Sequence, residues 1–147
     1  MERRIIGFIL QIIYLEFEEI LEGYENLLKE YKNLKKYLIV GREVNLNYLK
    51  MLLIEINPEF ASVMNVYIIS IEKEVCNIKN LRESRNTSEN LYSSFDIEKR
   101  YNIVKNLVKK MKEYDNNPKT SKTIEGYYKY YKIILNDYQR EVKNCIL

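Results

Sequence analysis

The chain has 147 residues and a net charge of +3, which suits one domain and is too small a charge to indicate nucleic-acid binding by itself. It contains no histidine, so Ser-His and Cys-His nucleophiles, histidine general bases and His-containing zinc or di-iron sites are excluded. Its four glycines are isolated and form no phosphate-binding loop. We therefore expect a protein that is not an enzyme, with no cofactor and no small-molecule substrate.

The composition reflects codon usage more than function. Isoleucine, lysine, asparagine and tyrosine contribute 19, 17, 16 and 14 residues, whereas Ala61 is the only alanine. Because alanine is the best helix former, this bias indicates an A/T-rich genome rather than selection for helix propensity. The two cysteines, Cys76 and Cys145, are too few for a disulfide scaffold and favour a reduced, cytoplasmic setting.

Charge is distributed unevenly along the chain. Residues 1–96 hold 12 basic and 15 acidic groups, whereas residues 97–147 hold 12 basic and 6 acidic groups. Two interpretations follow: the acidic and basic helices face each other inside one bundle, or the basic part forms a surface for an anionic partner.

The N-terminal segment carries the strongest pattern in the chain. Ten apolar side chains alternate at spacings of four and three residues, which places them on one stripe of an α-helix. This pattern predicts a helix over residues 2–38 that ends near Gly41, with three glutamates (Glu16, Glu19 and Glu22) on its solvated flank. The ten residues are Ile6, Leu10, Ile13, Phe17, Ile20, Tyr24, Leu27, Tyr31, Leu34 and Leu38.

The opening segment resembles a short signal sequence, because Arg3 and Arg4 precede an apolar run. However, no small-residue cleavage site follows, and the run is shorter than the ~20 apolar residues that span a bilayer. We expect the buried start of a helix and no membrane partner.

A helix over residues 2–38 would be longer than a compact domain of this size. It would measure roughly 55 Å if straight, against a diameter of about 38 Å for the domain. The helix must bend, most readily at Gly23, or project and pair with another molecule. The second alternative predicts an oligomer, with a protein interface at Ile13, Phe17, Ile20, Tyr24, Leu27, Tyr31 and Leu34.

Four more helices are predicted, with no strand pattern between them. The second runs from Asn45 to Ile56, the third starts at Asn57-Pro58-Glu59 and reaches Arg82, and residues 83–92 form a loop. The fourth starts at Ser93, Ser94 or Asp96 and stops at Asp115-Asn116-Asn117-Pro118, and the fifth runs from Thr120 or Ser121 to Asn144. The apolar side of the third helix includes Val75, and Cys76 is expected to be buried beside it. The fold class is all-α: a single domain over residues 1–147, built as a bundle of about five helices with a long heptad-patterned N-terminal helix.

The last two helices carry a candidate nucleic-acid surface. Basic residues of the fifth helix lie within about 80° of one another on a helical wheel, and Tyr128 and Tyr130 flank them, so that cations could neutralise phosphates while rings stack on bases. A solvated outer face is the commoner origin of such a pattern. The candidate residues are Lys105, Lys109, Lys112, Lys122, Lys129, Lys132, Arg140 and Lys143.

Two functions follow from these patterns. The leading hypothesis is a non-enzymatic interaction, structural or adaptor subunit that acts through helix packing and self-association, with itself or another protein as partner. The alternative is a small helical subunit that contacts RNA or DNA through its basic C-terminal helix.

Overall fold

The structure is a computed structural model that describes residues 1–29, 42–86 and 94–147. Within these ranges it contains five α-helices, one 3-10 turn and no strand, which confirms the all-α helical bundle with a long N-terminal helix. The predicted features at Tyr31, Leu34, Leu38 and Gly41 lie outside the described residues. The elements are α1 (Glu2–Leu28), α2 (Arg42–Leu52), the 3-10 turn (Leu53–Glu55), α3 (Pro58–Asn86), α4 (Ser94–Asn116) and α5 (Ile124–Lys143).

Helix α1 continues through Gly23 and ends at Leu28, ten residues before the predicted end. The backbone N–H of Lys29 closes the last turn on the carbonyl of Glu25. A helix of 27 residues is about 40 Å long, which is close to the diameter of about 38 Å expected for a compact domain. The length conflict that favoured a bent or projecting helix is therefore absent from the described part of the chain.

Helix α3 starts as predicted and ends later. The side-chain oxygen of Asn57 accepts a hydrogen bond of 2.8 Å from the backbone N–H of Glu59, and Pro58 occupies the first helical position. The helix reaches Asn86, so the first four residues of the predicted loop are helical. Its fully buried row contains Glu74, whereas Val75 is partly buried and packs against the core. Cys76 is exposed rather than buried, because it lies on the outer side of the helix.

Helix α5 begins at Ile124, three or four residues after the predicted start at Thr120 or Ser121. The hydroxyl oxygen of Thr123 caps it by accepting a hydrogen bond of 3.0 Å from the backbone N–H of Gly126. Tyr114 of α4 donates its hydroxyl to the carbonyl of Ser121 next to this turn. A Cβ atom at residue 126 would lie 2.7 Å from the Tyr114 hydroxyl oxygen, so glycine permits this close approach.

The bundle is held by one cluster of buried side chains to which all five helices contribute. Helix α1 packs against α3 and α4, and α5 packs against α3 and α4. Helix α2 and the 3-10 turn add smaller contacts to α1 and α3. None of the described helices combines the length and the apolar character that crossing a bilayer requires.

Candidate functional site

The predicted interface residues of α1 lie in the core. The inner stripe of α1 consists of the seven heptad residues that the structure describes, and each is at most 6% exposed. Helices α3 and α4 cover it, and the Phe17 ring lies edge-on to Tyr67 and to Tyr138. A second molecule could reach this stripe only if the bundle opened. The inner stripe comprises Ile6, Leu10, Ile13, Phe17, Ile20, Tyr24 and Leu27.

Helix α1 has a second stripe with the same spacing, which the sequence interpretation missed. Its members, spaced four and three residues apart, fall within about 80° of one another on the side opposite the inner stripe. All six are exposed, and the two large apolar side chains in the middle are 52% and 49% exposed. The members of this outer stripe are Arg4, Phe8, Gln11, Leu15, Glu18 and Glu22.

Charge is ordered along the outer stripe. Arg4 lies near its N-terminal end, Phe8 and Leu15 lie in the middle, and the carboxylates of Glu18 and Glu22 lie at the other end. Gln11 lies midway in sequence between Arg4 and Glu18. The stripe is therefore complementary in charge to its own reversed image.

A buried ion pair lies beneath the bundle surface. The guanidinium of Arg100 donates from Nε to both carboxylate oxygens of Glu74, at 2.6 and 3.1 Å, and its Nη2 lies 2.6 Å from Oε1. The Tyr24 hydroxyl donates to the same carboxylate at 3.2 Å, and Arg100 Nη1 donates to the carbonyl of Leu147 at 2.5 Å. Burial alone would lower the pKa of Arg100, but the hydrogen bond and the charge of Glu74 raise it above its ordinary value. The pair links α1, α3 and α4.

The signal for this pair was present in the sequence. Glu74 follows Ile71 by three residues on α3, and Arg100 follows Ile97 by three residues on α4, so both charges occupy core spacing. Opposite charges at core positions of two helices are a signature of a buried pair, because neither is stable there alone. The same packing buries Glu16, which was predicted to be solvated, whereas Glu22 is exposed.

The eight candidate nucleic-acid residues are all exposed, and several have partners in the chain. Lys129 pairs with Glu125 at 3.0 Å and Arg140 with Asp137 at 2.9 Å. Lys109 lies 4.0 Å from the carboxylate of Glu113. Two of the others, Lys105 and Lys132, lie over the rings of Tyr101 and Tyr128.

These basic residues do not form one surface. Helix α4 faces α5 at Lys110, whose carbonyl accepts a hydrogen bond of 2.8 Å from the Tyr130 hydroxyl. Lys105, Lys109 and Lys112 lie between about 100° and 160° around α4 from that residue. The α4 row therefore points away from α5 and its basic stripe.

The two tyrosines expected to stack on bases pack against other aromatic side chains of the bundle. The Tyr130 ring stacks on Tyr114 with centroids 4.4 Å apart, and Tyr128 packs against Phe60 at 5.8 Å. Both side chains are partly buried. They fill space between helices, as is common for aromatic residues in a core.

Two of the predicted residues meet other cations in a cleft between α3 and α5. Arg140 and Lys143 line it together with Lys73 and Arg100, and the cleft has a volume of about 510 Å³. Of the described residues, no aspartate or glutamate lines it, and the remaining lining residues, apart from Val142, are polar. We call this cleft, lined by Ser70, Lys73, Arg100, Asn136, Tyr138, Gln139, Arg140, Val142 and Lys143, the basic cleft.

Comparison with models of protein families, with curated proteins and with solved structures found no match to this chain. In the described ranges, no three cysteine, aspartate or glutamate side chains are grouped so that they could hold a metal ion. Two surface features of the described residues are candidate functional sites: the outer stripe of α1 and the basic cleft.

Proposed function

We propose that the protein is a non-enzymatic interaction or structural subunit that self-associates through helix packing, with the outer stripe of α1 as the contact. The observation that carries this proposal is the exposure of Phe8 and Leu15 in the middle of a second heptad pattern. Large apolar side chains seven residues apart form a line that a facing helix can cover, and removing this apolar area from water favours association.

The charges favour an antiparallel pair. If two copies of α1 meet about a two-fold axis near Gln11, Arg4 of one copy lies opposite Glu18 of the other, and the reciprocal pair forms at the other end. A parallel pair would place Arg4 against its own copy and Glu18 against its own copy. Like-charge contacts of that kind are destabilising, so they select the antiparallel arrangement.

The same stripe could pack on a different protein with a complementary helix. Self-association is the simpler case, because one chain supplies both the cation and the carboxylates that the contact needs. The stripe from Arg4 to Glu22 is roughly 27 Å long. A contact of this length lies at the small end of protein interfaces, so we expect a dimer that dissociates on dilution.

The test is the mass in solution over a range of protein concentrations, measured by size-exclusion chromatography with light scattering. We expect the wild type to shift from monomer to dimer, and Leu15→Glu to remain monomeric with an unchanged helical circular dichroism spectrum. The matched control is Ile133→Glu on α5, because Ile133 is 58% exposed but lies outside the stripe. A wild type that stays monomeric, or equal effects of both substitutions, would contradict the proposal.

Charge exchange tests the orientation. We expect Arg4→Glu and Glu18→Arg each to weaken the dimer, because each leaves like charges opposed. The double variant restores opposite charges in an antiparallel pair and should recover dimerisation. In a parallel pair the double variant would gain nothing, so failure of the rescue would exclude the antiparallel arrangement.

Contact with the RNA or DNA backbone through α4 and α5 is a second proposal, supported by the exposure of all eight cationic side chains. It has weaker support, because the α4 and α5 rows point in different directions and both candidate stacking tyrosines are used in the bundle. It requires steeply salt-dependent binding that weakens when Lys129, Lys132 and Arg140 are neutralised. Binding that is insensitive to salt, or no binding at low salt, would exclude it.

A further inference from the structure

We infer that the basic cleft between α3 and α5 binds a phosphate group of a small anionic ligand. Cations from three helices meet there: Lys73 from α3, Arg100 from α4, and Arg140 and Lys143 from α5. Arginine and lysine donors that converge in one cleft are the groups that recognise phosphate oxygens.

The charge of the cleft is not fully compensated. Glu74 pairs with Arg100 and Asp137 pairs with Arg140, and neither carboxylate lines the cleft. Within the described residues no ion-pair partner accompanies Lys73 or Lys143. Two positive charges therefore face the cleft, which matches a phosphate dianion.

Arg100 gives the cleft a fixed element. Its side chain is 3% exposed, and its Nε and Nη2 groups are held by Glu74 while Nη1 donates to the carbonyl of Leu147. A guanidinium has five N–H groups, and these contacts together with a hydrogen bond to Tyr138 leave one for a ligand. A guanidinium already held in one orientation loses little conformational entropy when it binds an anion.

The dimensions favour a small ligand over a polynucleotide. The volume of about 510 Å³ lies within the range of small-molecule sites, which is about 300–1,000 Å³. A polynucleotide backbone would need more cations beyond the cleft, and the lysine row on α4 that could supply them points away from α5. Four of the described lining residues are cations and four are neutral polar residues, which suits an anionic ligand.

Calorimetric titration at low salt tests this inference with three probes: inorganic phosphate, pyrophosphate and a single-stranded oligonucleotide without terminal phosphates. We expect pyrophosphate to bind more tightly than phosphate, because it presents more charge to the same cations. The double variant Lys73→Gln, Lys143→Gln should weaken pyrophosphate binding by about tenfold, since hydrogen bonds to charged groups are being removed.

The matched control is Lys109→Gln, Lys112→Gln, which removes the same net charge from α4 and should change the affinity by less than about twofold. Circular dichroism establishes that both variants are folded. Absence of phosphate and pyrophosphate binding, or equal losses in the two double variants, would overturn the inference. An oligonucleotide that binds more tightly than pyrophosphate and displaces it would overturn the choice of a small ligand.

Phosphate binding in the basic cleft is independent of self-association through the outer stripe. We expect Leu15→Glu to bind pyrophosphate as the wild type does, because the outer stripe of α1 lies outside the cleft lining. A failed dimer with intact pyrophosphate binding would leave the cleft standing, and the reverse result would leave the dimer standing.

Discussion

The two stripes of α1 have the same spacing and opposite surroundings. The inner stripe is apolar apart from the Tyr24 hydroxyl and is covered by α3 and α4, whereas the outer stripe has charged ends, two apolar residues in the middle and no cover from the described helices. Spacing alone shows only that residues share a face of a helix. Composition along the stripe, and what the rest of the chain can place against it, decides whether that face belongs to the core or to the surface.

The comparison also shows how a polar group enters the inner side. Tyr24 is a member of the inner stripe and is fully buried, yet its hydroxyl donates to Glu74, whose charge Arg100 balances. The outer stripe also combines apolar and charged groups, but they are exposed. The polar group of the inner stripe therefore needs hydrogen-bond and ion-pair partners inside the bundle, whereas the charges of the outer stripe can be satisfied by solvent or by a second molecule.

The largest expected effect is unfolding of the bundle at alkaline pH. Burial raises the pKa of the Tyr24, Tyr67, Tyr131 and Tyr138 hydroxyls above their ordinary value. In the unfolded chain these groups lose their protons near pH 10. The folded state holds protons that the unfolded state has lost, so stability is present below pH 10 and falls as pH rises towards the raised values.

Each such tyrosine removes about 1.4 kcal/mol of stability per pH unit above 10. The chain has 14 tyrosines and no tryptophan, so tyrosinate absorbance reports this process as a phase separate from titration of the exposed tyrosines. We expect the absorbance of the four buried tyrosines to rise cooperatively with loss of helical circular dichroism. Independent titration of all tyrosines near pH 10, with the helices intact, would show that solvent reaches these four hydroxyls in the folded bundle.

The next largest effect is expected at the buried ion pair. Glu74→Ala leaves Arg100 buried without its partner, which typically costs about 3–5 kcal/mol of unfolding free energy. The control is Glu72→Ala on the same helix, whose half-exposed pair with Lys50 at 3.5 Å is worth at most about 1 kcal/mol. Urea unfolding measures both variants. Equal stabilities would mean that the Glu74 carboxylate is solvated rather than buried.

A matched pair of truncations compares the two stripes directly. Phe17→Ala removes a fully buried ring from the inner stripe and should cost about 3–5 kcal/mol. Phe8→Ala removes a half-exposed ring from the outer stripe and should change the stability of the monomer by less than about 0.5 kcal/mol. Urea unfolding at a concentration where the protein is monomeric separates them. Similar losses at both positions would remove the distinction between the two sides.

Local chemistry made some helix ends predictable and left others open. The Asn57-Pro58-Glu59 cap is readable because each residue suits one position of a helix N-terminus. The end of α1 at Leu28 was not predicted, because the apolar spacing continues beyond it without a glycine or proline nearby. Thr123 was not predicted as the cap, because Thr120 and Ser121 just before it are cap residues of the same type.

The candidate surfaces were less predictable than the helices. Arg140 and Lys143 were identified from helical spacing, but their neighbours in the basic cleft come from α3 and α4, and one sequence does not show which helices pack together. The outer stripe was readable from spacing alone. It was missed because the inner heptad pattern is longer and carries no charged residue, and because a stripe of mixed character resembles an ordinary solvated face.

Cysteine cross-linking tests the outer-stripe dimer most directly. In a chain with Cys76→Ser and Cys145→Ser, Gln11→Cys places one thiol at the proposed two-fold axis, where the two copies approach closely enough for a disulfide. Arg4→Cys places the thiols roughly 21 Å apart along an antiparallel pair. We expect a covalent dimer for Gln11→Cys under mild oxidation and none for Arg4→Cys. No dimer for Gln11→Cys, or equal cross-linking at both positions, would contradict it.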